Sequence, residues 1–313
     1  MNTDICEIIS HHIYKPSYEL LDWIDIKKLN WYNLSSNPNA ISLLKENPDK
    51  IDWMFLTMNV NGISLLKENP DKIHWNLLSS NPNSISLLKE NSDKICWNIL
   101  LSSNPNAIEL LKDNVDKIDW GHLSKNPNAI ELLKANPDKI DWMYLTMNPN
   151  AHELIKENLD KISWSLLSFN INKEIIELII KNNLDKITWY ELSKNENAIE
   201  ILKENVHKIN WTGLSSNTNP DAIKLIKDNL DKIDKNDWHI LSRNPNAIEL
   251  LKENPTKIDW KRLSRNPNAI ELLKENQDKI NWNELSSNQS IFILNNNEKI
   301  KSKILKVVEM ILN

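Results

Sequence analysis

Leu123-Ser-Lys-Asn-Pro-Asn-Ala-Ile-Glu-Leu-Leu-Lys-Ala-Asn-Pro-Asp-Lys-Ile-Asp-Trp142 is one turn of a pattern that fills most of the chain. Asn-Pro occurs in it twice, ten residues apart, at Asn126-Pro127 and Asn136-Pro137. Asparagine is a strong helix N-cap, and proline at the first helical position loses nothing, because its missing N–H has no partner there anyway. The stretch therefore reads as two short helices. In the unit around Asn37 the first spans roughly Pro38 to Glu46 and the second roughly Pro48 to Thr57. Ala40, Ile41 and Leu44 form one apolar side of the first helix, and Trp53 with Leu56 one side of the second.

The pattern recurs on tryptophan at Trp31, Trp53, Trp75, Trp97, Trp120, Trp142, Trp164, Trp189, Trp211, Trp238, Trp260 and Trp282, mostly 22 residues apart. A fixed period of this kind replaces any division of the 313 residues into two globular domains. With 3 Gly against 13 Pro, the chain writes its turns with Asn-Pro and keeps glycine out of its elements, as helices require. Helices this short are marginal alone and must bury their apolar sides against neighbouring units. The fold expected is all-α: a right-handed α-solenoid of about twelve 22-residue helical-hairpin repeats, either α/α or α/3₁₀. Residues 1–30 form an N-terminal cap, 31–288 the solenoid, and 289–313 a C-terminal capping helix with its stripe at Ile300, Ile304, Val307, Val308 and Ile311. Twelve layers ~8–10 Å apart give an elongated particle with a contour on the order of 100 Å.

Within the unit each column has an expected task. Tryptophan is the principal stacking element. The small residue before the first-helix isoleucine (Ala40, Gly62, Ser84 and their equivalents) lets first helices approach closely, and the second-helix isoleucine, Ile51, Ile73 and their equivalents through Ile233 and Ile280, belongs to the core. Lys45 and Lys50, interleaved with Glu46 and Asp49, read as a solvated ridge of i, i+4 ion pairs, and the Lys50 stem can lie along the Trp53 ring. Two units are longer, from Trp164 to Trp189 and from Trp211 to Trp238, and are expected to carry kinks or loops.

In architecture the unit is similar to the leucine-rich-repeat variant family, right-handed solenoids that alternate α and 3₁₀ helices. In wording, Asn-Pro-Asn-Ala-Ile-x-Leu-Leu-Lys-Glu-Asn-x-Asp-Lys-Ile-x-Trp resembles the paralogous repeat proteins of amoeba-infecting giant DNA viruses, over roughly residues 18–288. The resemblance implies an interaction protein with no shared active site, at work in an infected host cell.

Chemistry is hard to find. The pair Cys6 and Cys96 has no metal or redox spacing and reads as reduced thiols of an intracellular, cytoplasmic protein. Cys6 with His11 and His12 is the only cluster near a metal site, and histidines lack ligand spacing elsewhere. His152 stands where isoleucine should be and reads as a hydrogen-bonded core histidine. The carboxylates repeat from unit to unit, whereas an active site is singular, so no enzyme, cofactor or metal is expected. No run of 18 apolar residues spans a membrane, and a net charge of −5 makes nucleic acid an unfavoured partner.

Specificity then rests on positions that differ between units, those at +1, +2 and +5 from tryptophan. Met54, Phe55 and Met58, then Met143, Tyr144 and Met147, with Phe169 and Tyr190, are large apolar anchors suited to a protein surface. Arg243, Lys261, Arg262 and Arg265 form a basic patch. The function expected is a non-catalytic scaffold, monomeric or weakly self-associating, that binds a protein partner through this row on the second helix. The alternative is a nucleic acid or other anionic ligand on the basic patch.

Overall fold

The computed structural model describes residues 18–97 and 99–294, and these form an all-α solenoid. We number its units 1 to 12 from Trp31 to Trp282. A regular unit has four helical pieces. In the run from Asn37, a 3₁₀ turn Pro38–Ala40 leads into the α-helix Ile41–Glu46, followed by a 3₁₀ turn Pro48–Lys50 and the α-helix Trp53–Met58. The expected second helix from Pro48 to Thr57 is thus broken at Ile51 and Asp52, whose extended backbone re-aims the chain. The cap of the tryptophan helix is Asp52, whose Oδ1 accepts from Phe55 N–H at 3.0 Å. Asn47 does not cap a helix start; its Nδ2 turns back to donate to Leu43 O and closes the preceding helix.

The core is two columns of leucine and isoleucine. The leucine three after each tryptophan, from Leu34 to Leu285, is fully buried in eleven units, and in unit 4 Leu101, four after Trp97, takes its place at 1 % exposure. The second column, Leu44, Leu66, Leu88 and their equivalents, is equally buried. Each such side chain contributes ~1.5–3 kcal/mol by leaving water. Tryptophan is not the principal stacking element: eleven of the twelve are only half-buried and Trp238 alone is buried. The small column is buried throughout, from Ala40 to Ala269, and the isoleucines before tryptophan are buried or packed against the core.

Units are joined by a polar ladder. Asn59 Oδ1 caps its own turn by accepting from Asn61 N–H, while Asn59 Nδ2 donates to Ser35 O at 3.0 Å and to Asn37 O at 2.9 Å in the unit before. Only a side-chain amide has both the acceptor and the two donors that this requires. The same residue in every later unit, through Asn126, Asn195 and Asn288, repeats the pair of bonds. Buried serine or threonine does a second task. Ser35 Oγ donates to Trp31 O and accepts from Asp52 N–H of the next unit.

The ladder does not end. Asn37 Nδ2 of unit 1 donates to Ser286 O at 3.2 Å and Asn288 O at 3.1 Å of unit 12, and Asn30 N–H donates to Ser286 Oγ at 2.8 Å. Beside them a strand β1, Tyr18–Leu20, pairs antiparallel with β2, Phe292–Leu294, placing Tyr18 opposite Leu294. The solenoid is therefore a closed ring, and the expected elongated particle with water-facing caps is overturned. A small rotation at every joint, invisible within any one unit, returns the twelfth unit to the first. The ends depart from the repeat because they meet each other. The expected capping stripe from Ile300, like Cys6, His11 and His12, lies outside the described residues.

Both long units are absorbed by helix. Between Trp164 and Trp189 the extra residues widen a helix into a π-turn, Ile175–Ile180. Between Trp211 and Trp238 they lengthen one helix to Pro220–Lys227 and start the next early, at Lys235, behind an Asp234–Asp237 capping box. The asparagine ladder crosses both without a gap.

Candidate functional site

In a closed ring the layer whose members sit closest together lies inside. Tryptophan helices of successive units touch along their length, most closely Trp189–Lys194, Trp211–Ser215 and Lys235–Leu241. Gly213 shows how close: a Cβ there would stand 2.5 Å from Tyr190 O, so only glycine fits. The Ile-Leu-Leu helices are outside, linked between units at their exposed ends by pairs such as Lys67–Glu90 at 3.0 Å and Lys227–Glu253 at 2.7 Å. The charged ridge is thus built mainly between units and by i, i+3 pairs such as Glu109–Lys112, and the i, i+4 pairing expected for it is not the one adopted. Lys50 Nζ stands 4.6 Å from the Trp31 ring, in the preceding unit, rather than over Trp53.

With leucine and serine of each tryptophan helix turned to the core, positions +1 and +5 face the bore and +2 is wedged between neighbouring helices. Met54, Met58, Met143, Phe169 and Tyr190 are exposed. Phe55, Tyr144 and Met147 are half-buried, Phe55 with its ring 3.8 Å from Tyr32 and Tyr144 with its ring 5.2 Å from His122. With helices ~10 Å thick and ~8–10 Å apart, twelve in a ring leave a bore on the order of 20–30 Å.

Arg243, Lys261, Arg262 and Arg265 are all exposed on the bore side. Arg262 Nε lies 3.3 Å from Asp259 and Arg265 is 3.7 Å from Glu284, while Arg243 and Lys261 have no ion pair among the described residues. Arg243 and Arg262 join Tyr190, Lys194, Thr212 and Ser216 around a hollow of about 450 Å³ that spans units 8 to 11. A hollow shared by four successive units belongs to a concave wall. The Lys194 ammonium lies 5.5 Å from the Phe169 ring and 5.2 Å from the Tyr190 ring, and 3.0 Å from Glu191. In unit 5, partial burial pushes the Asp119 carboxyl up, but hydrogen bonds from the His122 N–H and ring outweigh it and hold the group below its usual range.

The outer layer has one cluster that the repeat does not explain. His152, at the isoleucine position, is half-exposed rather than a hydrogen-bonded core residue, and its Nε2 lies 3.3 Å from Glu153 and 3.5 Å from Glu174, a residue of the longer unit. These groups are within metal-ligand reach of one another. The His152 Nδ1 is buried without a partner, whereas a ligating imidazole normally has that nitrogen held by a hydrogen bond. The donor set fits a metal poorly.

Sequence reasoning located the variable row but not the bore on which it converges. It also missed the ladder asparagines, which look like plain caps. No family model, no curated protein and no solved structure matches the chain. Among the described residues no helix is long and apolar enough to cross a membrane.

Proposed function

We propose that the protein is a non-catalytic ring scaffold that holds a segment of a partner protein in its bore, through the +1, +2 and +5 positions of the tryptophan helices. The observation that carries this is a division of labour. Leucine, asparagine and serine recur unit by unit to build the ring, and the side chains that differ are the ones turned into the bore. Interface energy concentrates in a few large anchors, and Met54, Met58, Met143, Phe169 and Tyr190 offer such groups at the bore surface. A cytoplasmic setting, in an infected host cell given the viral wording of the repeat, belongs to the same proposal.

The test is capture of partners from host lysate by three forms of the ring: wild type, Met54/Phe55/Met58→Ala, and Lys156→Glu on the outer layer, each with an unchanged melting curve. The expected result is a set of proteins captured by wild type and the outer variant and lost, by roughly tenfold or more, in the bore variant. Equal capture by all three forms overturns the proposal.

A further inference from the structure

The bore is not uniform in charge. Its +1, +2 and +5 positions include Lys125, Lys194, Arg243, Lys261, Arg262 and Arg265 against the carboxylates Glu191 and Glu284, in a chain whose net charge is −5. Five of the six cations fall in units 8 to 11. About a quarter-turn away, past the seam, units 1 and 2 present Tyr32, Met54 and Met58, exposed and uncharged. The bore thus has a basic arc and, a short way round the ring, an apolar arc.

We infer that the basic arc binds acidic side chains of an extended peptide segment, with Arg243 and Lys261 as the anchors; this rests on the bore being the working surface. Three features select that occupant. Arg243 and Lys261 have no carboxylate of their own among the described residues, so an incoming carboxylate or phosphate monoester gains a charge-assisted bond without displacing an internal partner. Arg262 is different, since Asp259 already shares it at 3.3 Å. The same hollow carries Tyr190 and Ile240 beside the Thr212 and Ser216 hydroxyls, a mixture that suits a side chain next to an acidic one better than a row of phosphates. A duplex filling the bore would bring phosphates against Met54 and Met58, which give them no counter-charge. An extended peptide can meet cations along one edge and leave its apolar side chains to the other arc.

The probe is a fluorescein-labelled peptide, Glu-Glu-Phe-Glu-Glu, followed by anisotropy against the full chain. Its comparison ligands are the Gln-Gln-Phe-Gln-Gln peptide, the same acidic peptide with phosphoserine at one flank, and an oligothymidylate. The variants are Arg243→Glu/Lys261→Glu, Met54/Phe55/Met58→Ala and the outer Lys156→Glu, each checked for helicity and melting. The expected result is binding of the acidic peptide that weakens at least roughly tenfold in Arg243→Glu/Lys261→Glu and is unaffected by Lys156→Glu. Tighter binding of the phosphoserine form assigns the arc to phosphorylated partners, and equal binding assigns it to carboxylates; both uphold the inference. Equal affinity for the glutamine peptide, an unaffected Arg243→Glu/Lys261→Glu variant, or tighter binding of oligothymidylate overturns it. If peptide binding is lost only in the Met54/Phe55/Met58→Ala form, the acidic reading falls while the bore remains the working surface. If neither bore variant changes it, both fall.

Discussion

The joint between units 1 and 2 and the seam between units 12 and 1 are made by the same bonds. At the joint, Asn59 Nδ2 reaches Ser35 O and Asn37 O; at the seam, Asn37 Nδ2 reaches Ser286 O and Asn288 O. Ser35 Oγ takes the Asp52 N–H as Ser286 Oγ takes the Asn30 N–H, and Lys50 covers Trp31 as Lys28 covers Trp282, at 4.6 and 4.8 Å. What differs is the covalent chain, which crosses the joint and is replaced at the seam by the β1–β2 pair. Side-chain chemistry alone is therefore sufficient to hold two units in register, and the backbone connection adds proximity rather than geometry.

The largest effect is expected from the apolar columns that both kinds of contact share. Leu145 is fully buried, so Leu145→Ala should cost ~3–5 kcal/mol by cavity formation, and half-buried Trp142 should cost less when truncated. Urea unfolding of the two variants ranks them; a larger loss at Trp142 would return stacking to the tryptophan column.

Next come the ladder amides. Asn126→Ala removes one donor from each of two buried carbonyls, Ser102 O and Asn104 O, together with the cap of Asn128 N–H, and should cost ~2–4 kcal/mol. Asn37→Ala with Ser286→Ala should cost a similar amount at the seam, but with a consequence the interior variant lacks, namely a larger radius of gyration in small-angle scattering at unchanged helicity. If both variants keep the compact radius, the seam is held by the strand pair and not by the ladder.

The smallest effect tests an irregular joint. Asp221, brought in by the longer unit 9, accepts from Lys224 at 2.6 Å and from Lys203 of unit 8 at 2.9 Å, and these bonds lower its carboxyl from 3.8 to about 2. A carboxyl depressed in the folded state contributes stability above its ordinary pKa and loses it as pH falls through the folded value. The contribution should accordingly fade between 3.8 and about 2, and slightly, because the pair is solvated. A carbon-13 titration of Asp221 with its midpoint near 3.8 would show that units 8 and 9 are not tied by this residue.

The period, the helix class and the buried leucine, alanine and isoleucine columns were legible because each repeats within the hydrophobic pattern of a single unit. The break at Ile51 was not, since Asn47-Pro48 reads as a cap and Asp52, the working cap, stands where that reading has the helix already running. Closure was illegible for a different reason. It depends on the rotation between units, a sum over twelve joints that no local residue records, and Asn37 looks the same whether its amide meets a neighbour or water. The +1, +2 and +5 row could be found as the variable set, but its gathering around one bore follows from closure and was hidden with it.

A ring that closes on its own ladder also constrains how its gene can change. Tandem repeats gain and lose whole copies by unequal recombination, and an open solenoid tolerates this by growing or shrinking at one end. Here one unit more or fewer would misplace β2 from β1 and Asn288 from Asn37 by the width of a whole unit, so copy number is held fixed while insertions inside a unit, such as those before Trp189 and Trp238, are permitted. Innovation in such a gene is channelled into substitutions at the bore and into lengthened helices, and away from duplication.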